Sequence, residues 1–421
     1  MSKASQKISA PTGNVFRFTL SGLIIFCLTL MAGTAFMASK LYSARPRKLA
    51  ETFAVDPHDK TRSVRVGPWG DLIARDIILE RPAELVAAEA TTLGPETWSF
   101  KGLRLAAVKS LLAKAGLSAA QVAAACAPGA VQENESGTVL QPSSEFILGL
   151  EADTRQQLCR GLAGLGVNAH LDFPIYFPAK IIASIYADDQ LAPEDVAVLR
   201  QLVYQSGEVS TLANYQTLME QIPTTDRRVA MARALSRQAA VFAGLSVKPG
   251  TDIEKIAAYW SNIGGVRFND IRPMLEALSR LPEGGNLSLF YLLPQFARDR
   301  LYTFPLPPQP GDPYMDCNWT TYNFLTEATT GRLAGSTNLV EFLNDNYYMV
   351  QTPTVCGDIL LLMDDQSHIL HSAVYLADDL VFTKNGGGIN QPWMLMHIPD
   401  LLVSYHSTPP PRVIYMRRKT D

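Results

Sequence analysis

Apolar and polar residues follow several different periods along the chain, and each period predicts a different kind of element. The longest apolar run, from Val15 to Ala38, contains one charged residue, Arg17, and is long enough to cross a bilayer as a helix. The pattern therefore predicts a short N-terminal tail (1–14), a transmembrane anchor (15–38) and a polar, basic juxtamembrane spacer (39–62). A cleaved signal peptide is the alternative, because small residues lie near the end of the run.

Basic residues lie on both sides of this run, so the positive-inside rule does not assign its orientation. Because the N-terminal tail is short, we expect the larger part of the chain to be exported. The resulting prediction is a single-pass membrane protein whose folded part is periplasmic or otherwise extracytoplasmic.

Residues 63–285 contain mostly helical patterns and no chemical motif. We interpret LRLAAVKSLLAKAG (103–116), VAMARALSRQAAVFAGL (229–245) and TDIEKIAAYW (251–260) as helices, because their apolar residues recur at helical spacing. These patterns predict a mainly helical region of unknown role, such as a spacer, a lid or a wall-binding module.

Residues 286–421 have a different character and predict a second folded domain. A Pro- and Gly-rich loop precedes the helical pattern DCNWTTYNFLTE (316–327), and three β-rich runs follow it. The runs are GDILLLMDD (357–365), HSAVYLADDLVFTK (371–384) and PRVIYMRR (411–418), and the pair Asp378-Asp379 predicts a hairpin turn. A helix followed by antiparallel strands is typical of an α+β fold.

Composition excludes several classes of function. With 47% hydrophobic and 18% charged residues, most of the chain should fold. A net charge of -3 and the lack of a Lys/Arg-rich stripe exclude nucleic acid as an expected partner. Neither a CxxC nor an HExxH motif occurs, so we expect no metal and no other cofactor. Cys126 and Cys159 could pair as a disulfide or remain two separate buried thiols.

Cys317 is the candidate nucleophile. A reactive cysteine must be a thiolate, which a helix N-terminus and a nearby imidazole both favour. Cys317 lies in the first turn of the predicted helix 316–327, with Asp316 as its N-cap, and His371 opens a predicted strand. His368 is an alternative base three residues earlier. The competing interpretation is structural, with Cys317 as a buried thiol and His371 as a satisfied strand histidine.

The order of these residues resembles the NlpC-type peptidases, which are papain-like bacterial cell-wall hydrolases. The resemblance covers about residues 292–418, and its Gly-Asp pair follows the nucleophile by 40 positions and precedes the base by 14. The segments that carry it are LLPQFARDRLYTF with Tyr302, the pair Asp316-Cys317, the pair Gly357-Asp358 in GDILLL, and His371 in HSAVYLADDLVF.

The resemblance implies Cys317 as nucleophile, His371 as base, and Tyr302 as a loop tyrosine that assists oxyanion binding. The family's third residue falls near VFTKNG, where we assign Asn385, with His397 and Thr383 as competitors. The chain departs from the family directly after the nucleophile, where Asn318 and Trp319 replace the usual Ser-Gly, and this puts the substrate class in doubt.

The predicted function is that of a membrane-anchored cysteine hydrolase that cleaves amide bonds. Peptides of peptidoglycan are the substrate that the resemblance implies, and peptidoglycan or an envelope protein would be a partner besides the membrane. A catalytically inactive papain-like scaffold or binding module is the first alternative, and an acyltransferase is the second. Four other residues are expected to be structural: Cys356, Asp358, Trp319 and Tyr322.

Overall fold

Antiparallel sheets with helices packed on them make up the part of the chain that the structure describes. The computed structural model describes residues 62–172, 174–207, 209–263, 266–325, 338–405 and 410–419. These residues belong to a single compact unit.

The helices and strands are numbered in chain order. The helices are α1 (Ala83–Thr91), α2 (Leu105–Lys114), α3 (Ala119–Ala125), α4 (Ser144–Leu148), α5 (Ala152–Ala163), α6 (Ala169–Asp172), α7 (Ala179–Tyr186), α8 (Pro193–Leu202), α9 (Tyr215–Gln221), α10 (Thr225–Leu235), α11 (Ile253–Trp260), α12 (Phe268–Ser279), α13 (Gln295–Arg298), α14 (Cys317–Leu325), α15 (Asn338–Asn346) and α16 (Ile398–Ser404), with a 3₁₀ turn at Leu289–Leu292. The strands are β1 (Arg62–Gly67), β2 (Gly70–Leu79), β3 (Trp98–Lys101), β4 (Val131–Asn134), β5 (Gly137–Leu140), β6 (Ile175–Phe177), β7 (Tyr204–Ser206), β8 (Val209–Leu212), β9 (Gln238–Val247), β10 (Gly285–Ser288), β11 (Tyr347–Val350), β12 (Ile359–Met363), β13 (Ile369–Ala377), β14 (Leu380–Lys384), β15 (Trp393–His397) and β16 (Arg412–Arg418).

The largest sheet carries the predicted site and has the strand order β11-β16-β12-β13-β14-β15. Its pairs are all antiparallel. The predicted hairpin is confirmed, because Ala377 pairs with Leu380 across a two-residue turn in which Asp378 has φ 54°. The antiparallel α+β prediction is therefore correct for this region.

One face of this sheet packs against α14 and the other against a smaller apolar cluster. Ile359, Leu361 and Val374 point toward the core that contains Trp319 of α14, whereas Leu360, Leu362 and Ala373 point to the opposite side. This alternation follows from the two-residue period of a strand. It determines which side chains can share a site.

A second sheet, β1-β2-β9-β10, corrects part of the helical prediction for residues 63–285. The segment QAAVFAGL was predicted as the end of a helix, but it forms β9, which pairs with β2 on one side and β10 on the other. A central strand buried on both faces has a continuous apolar sequence, and periodicity alone does not separate such a run from a buried helix.

The remaining part of residues 63–285 combines helices with two three-stranded sheets, β3-β5-β4 and β6-β8-β7, around a core of its own. The mainly helical description is therefore corrected to mixed α and β. The helix predicted at TDIEKIAAYW is confirmed as α11, where Asp252 accepts a hydrogen bond from Lys255 N–H. Buried residues on both sides of residue 286, including Val241, Trp260, Trp319 and Ile359, share one apolar core.

The predicted membrane anchor needs a correction. In the described ranges, no helix is long and apolar enough to cross a membrane, and the longest helices, α5 and α12, have 12 residues each. A span needs about 20 apolar residues. The segment 15–38 lies outside the described residues, so the fold class is α+β without the predicted transmembrane helix, and a single-pass membrane protein is not supported.

Candidate functional site around Cys317

Cys317 begins α14, which packs on β13 and β14 of the large sheet. Asp316 caps the helix, because its Oδ1 accepts a hydrogen bond of 2.7 Å from Trp319 N–H. Ser372, on β13, contacts the start of α14, because its hydroxyl donates to Asn318 Oδ1. The fold therefore brings the predicted nucleophile to the strand that carries the predicted base.

The thiol of Cys317 is held in its neutral form. It is 6% exposed and lies 3.9 Å from Asn318 Oδ1. Burial raises the pKa of Cys317, the Ser372 N–H partly offsets this, and the Asp316 charge raises the pKa further. The helix N-terminus alone does not make this cysteine a thiolate.

His371 lies in a completely buried position on β13. Its Nε2 is 2.8 Å from Thr383 Oγ1, and its ring stacks at 4.3 Å on the ring of Tyr405. Burial lowers the pKa of His371 to about 3, so the imidazole is neutral at neutral pH. Its Nδ1 has no hydrogen-bond partner in the described part of the chain.

The two predicted catalytic side chains are close along the strand but are not hydrogen-bonded. The hydroxyl of Ser372 donates to Asn318 Oδ1 (2.9 Å) and approaches Thr321 Oγ1 (3.0 Å), so the Ser372 side chain faces α14. By strand alternation the His371 ring lies on the other face, with Tyr405. Neither ring nitrogen of His371 bonds the Cys317 sulfur.

Thr383, a competitor of Asn385 for the role of third residue, is the residue that bonds His371. Its hydroxyl points on to Asn385 Oδ1 at 3.4 Å, so Asn385 reaches the imidazole only through Thr383. If Thr383 donates its one proton to Asn385, it must accept the proton of His371 Nε2–H. This assignment leaves Nδ1 of His371 as a free acceptor, which is the state a general base requires.

Tyr302 is bound away from the sulfur. Its hydroxyl donates to Val241 O at 2.6 Å, and its ring lies 6.2 Å from that of Phe242 on β9. The backbone takes φ 61° there, and its N–H donates to Trp393 O at 2.7 Å. The hydroxyl that would assist an oxyanion is thus occupied by a backbone carbonyl.

The two alternative histidines lie elsewhere. His368 is exposed in the turn before β13, with Nδ1 2.9 Å from Asp364 Oδ2. His397 pairs with Leu380 at one end of the β14–β15 ladder, whereas Lys384 and Trp393 pair at the other end. Four residues of strand correspond to about 13 Å, which separates His397 from the Cys317 end of the ladder.

The residues expected to be structural have structural surroundings. Asp358 is buried, binds Arg417 through both oxygens and accepts two backbone N–H groups. Cys356 is completely buried, and Trp319 lies in the core with its ring 5.3 Å from that of Phe296. Cys126 and Cys159 are both free thiols.

The sequence interpretation missed Lys384 as a functional candidate. This lysine is completely buried, and burial lowers its pKa to about 8 while the charges of Cys317 and Asp316 raise it. The sequence carries no signal for this burial, because a lysine at the end of a strand is normally solvated. Tyr405 was also missed, and its position is shown by its contact with His371 in the structure.

No group of three His, Cys, Asp or Glu side chains in the described part of the chain is arranged to hold a metal ion. Comparisons with protein-family models, with curated proteins and with solved structures return no match. The likeness to NlpC-type peptidases therefore depends on the quoted residues alone and stays a prediction.

Proposed function

We propose that Cys317 and His371 form a cysteine hydrolase site that cleaves amide bonds through an acyl-enzyme. One observation carries the proposal. Asn318, the residue after Cys317, accepts a hydrogen bond from Ser372, the residue next to His371. The Nε2 of His371 is fixed by Thr383, and its Nδ1 has no partner among the described residues. A neutral imidazole with one fixed and one free nitrogen is suited to accept a thiol proton.

The reaction uses His371 first as a base and then as an acid. Nδ1 of His371 takes the proton from Cys317 Sγ, and the sulfur attacks the carbonyl carbon of the amide. The C–N bond breaks as the imidazolium returns the proton to the leaving amine, and water then cleaves the thioester and regenerates the thiol. The backbone N–H of Cys317, at the start of α14, is the donor available to the oxyanion.

Proton transfer requires the sulfur and Nδ1 to come closer than they are in this structure. Catalytic hydrogen bonds are often long or poorly aligned without substrate and tighten when it binds. The Cys317 side chain and the segment that carries Tyr405 are the parts whose movement would bring the pair together, since Tyr405 covers the His371 ring.

The proposed substrate class is a peptide or related amide, and peptides of peptidoglycan are the first to test because the family resemblance implies them. Transfer of the acyl group to an amine would use the same Cys-His pair. Identification of the products distinguishes this transfer from hydrolysis.

The test compares hydrolysis of fluorogenic amides and of purified peptidoglycan by the parent protein and two pairs of variants. Cys317→Ala should lower the rate by at least about 1,000-fold, whereas Cys126→Ala, which removes another free thiol, should not change it. His371→Asn should lower kcat in the same way, and His368→Asn should not. Equal activity of the parent and Cys317→Ala would reject the proposal.

The second candidate function is a non-catalytic binding module, and the complete burial of His371 together with the raised pKa of Cys317 favours it. Labelling of Cys317 with iodoacetamide over a range of pH separates the two functions. A thiol that titrates well below the reference value of about 8.5 supports the hydrolase. A profile at or above that value, together with the absence of hydrolysis, supports the binding module.

A further inference from the structure

Lys384 occupies a buried position beside the candidate nucleophile. It ends β14 and pairs with Trp393 on β15. Its side chain lies on the same sheet face as that of Phe382, whose ring is 5.1 Å from Phe324 of α14. Continuing the β13–β14 register, which runs to the Val374–Phe382 pair, places Lys384 opposite Ser372.

The partners of the Lys384 ammonium do not neutralise its charge. Nζ donates to Gly386 O at 2.6 Å and to Gly388 O at 3.1 Å, and it lies 5.7 Å from the centre of the Trp393 ring. Carbonyl oxygens and an aromatic face stabilise a cation but carry no negative charge. A fully buried lysine is rare unless a charged group pairs with it.

The charged groups that act on Lys384 lie at the start of α14, where Asp316 is the N-cap and Cys317 is the first residue. The charges of Cys317 and Asp316 both raise the pKa of Lys384 against the burial that lowers it to about 8. Asp316 is engaged as the helix cap, and burial raises its pKa while Lys384 lowers it. Tyr405 is the other group that the charges of Cys317 and Asp316 influence.

The coupling between two charges is reciprocal, so an ammonium that is stabilised by a thiolate stabilises that thiolate to the same extent. His371 cannot supply this charge in the resting protein because its buried ring is neutral at neutral pH. Lys384 is therefore a cation whose charge interacts with that of the sulfur on the α14 side of the sheet.

We infer that Lys384 is a positioning residue that stabilises the Cys317 thiolate when it forms, with its ammonium as a counter-ion on the α14 side of the sheet. This inference deepens the proposed function and rests on it for the role of Cys317 as nucleophile. The glycine-rich segment 386–388 then acts as the support that holds the ammonium in place through its carbonyls.

The test is the pH profile of iodoacetamide labelling at Cys317, read peptide by peptide in the full chain. Lys384→Met should move the Cys317 titration up by about one pH unit, which is about tenfold slower labelling at neutral pH, and Lys384→Arg should keep the parent profile. Cys126, which is half-buried, is the internal reference. An unchanged Cys317 profile in Lys384→Met overturns the inference.

Cys356 reports whether the variant is folded, because it is completely buried in the native protein. If Lys384→Met exposes Cys356 to the reagent, the reciprocal measurement decides. In Cys317→Ser, the Lys384 pKa followed by ¹³C NMR should fall, and an unchanged value overturns the inference. If Lys384→Met leaves the labelling profile unchanged while hydrolysis still depends on Cys317, only the role of Lys384 is rejected. If the profile shifts but the parent protein hydrolyses no substrate, only the proposed function is rejected.

Discussion

Two histidines of the same sheet show how surroundings decide the chemistry of one residue type. His371 is completely buried, bonds the neutral Thr383 hydroxyl, and has its pKa lowered to about 3 by burial. His397 lies between two carboxylates, with Nδ1 2.8 Å from Asp379 and Nε2 3.2 Å from Asp76. The hydrogen bond to Asp379, followed by carboxylate charges, raises its pKa despite partial burial. The surroundings of His371 favour the neutral imidazole, and those of His397 favour the charged form.

The largest expected effect is the acid sensitivity that His371 confers on folding. Its pKa is lower in the folded chain than in the unfolded chain, so the unfolded chain binds more protons between about pH 6.5 and 3. Stability should therefore fall with decreasing pH in this window, by up to about 1.4 kcal/mol per pH unit. His371→Asn should flatten this slope in urea unfolding measured from pH 7 to pH 4.

His368→Gln is the matched control, because His368 is exposed three residues earlier and should leave the slope unchanged. A His371→Asn protein with the parent slope would show that the buried imidazole does not control acid stability.

The second effect concerns the hydroxyl that holds His371. Thr383→Val keeps the side-chain shape but leaves the buried Nε2–H without an acceptor, which should cost about 1–3 kcal/mol of unfolding free energy. If the site is catalytic, kcat should fall more than KM changes, because the ring loses its orientation. Thr383→Ser retains the hydroxyl and should keep the unfolding free energy and kcat close to the parent values. Equal losses in Thr383→Val and Thr383→Ser would assign the effect to packing.

The smallest effect is expected at His397 and has the opposite sign of pH dependence. Its folded pKa is raised, so its contribution is fully present below about pH 6.5 and is lost as the pH rises through the folded pKa. His397→Gln should cost about 0.5 kcal/mol at pH 5.5 and less at pH 8, since Asp76 is half exposed and solvent screens the pair. Added salt should shrink this difference, and a cost that grows with pH would contradict the assignment.

The strands that carry the site could be predicted from sequence. The runs GDILLL, HSAVYL and PRVIYMRR form β12, β13 and β16, because each is a β-rich apolar run bounded by turn residues. The segment QAAVFAGL could not be assigned in this way. It forms β9 between β2 and β10, and β2 is more than 40 positions away from both β9 and β10 in the sequence. For this segment, the pairing with other strands distinguishes a strand from a helix, and the spacing of its apolar residues does not.

The site was predictable in order but not in orientation. Residue types and spacing were enough to place Cys317 on a helix start and His371 on the adjoining strand. The face taken by the His371 ring depends on strand register, and a shift of one residue would reverse it. The burial of Lys384 was equally out of reach, because a lysine at the end of a strand is normally solvated and only packing against α14 and β15 shows otherwise.

The strand order of the large sheet has a consequence for biosynthesis. β16 is made after β15, yet it is inserted between β11 and β12. While a ribosome is still translating the residues before Arg412, β12 can pair with β13 on one side only. The other edge of β12, whose sequence is the apolar ILLLM, then has no partner strand from β16. Nascent chains paused there would offer an open edge to one another or to a chaperone, so slow translation of this stretch should favour aggregation.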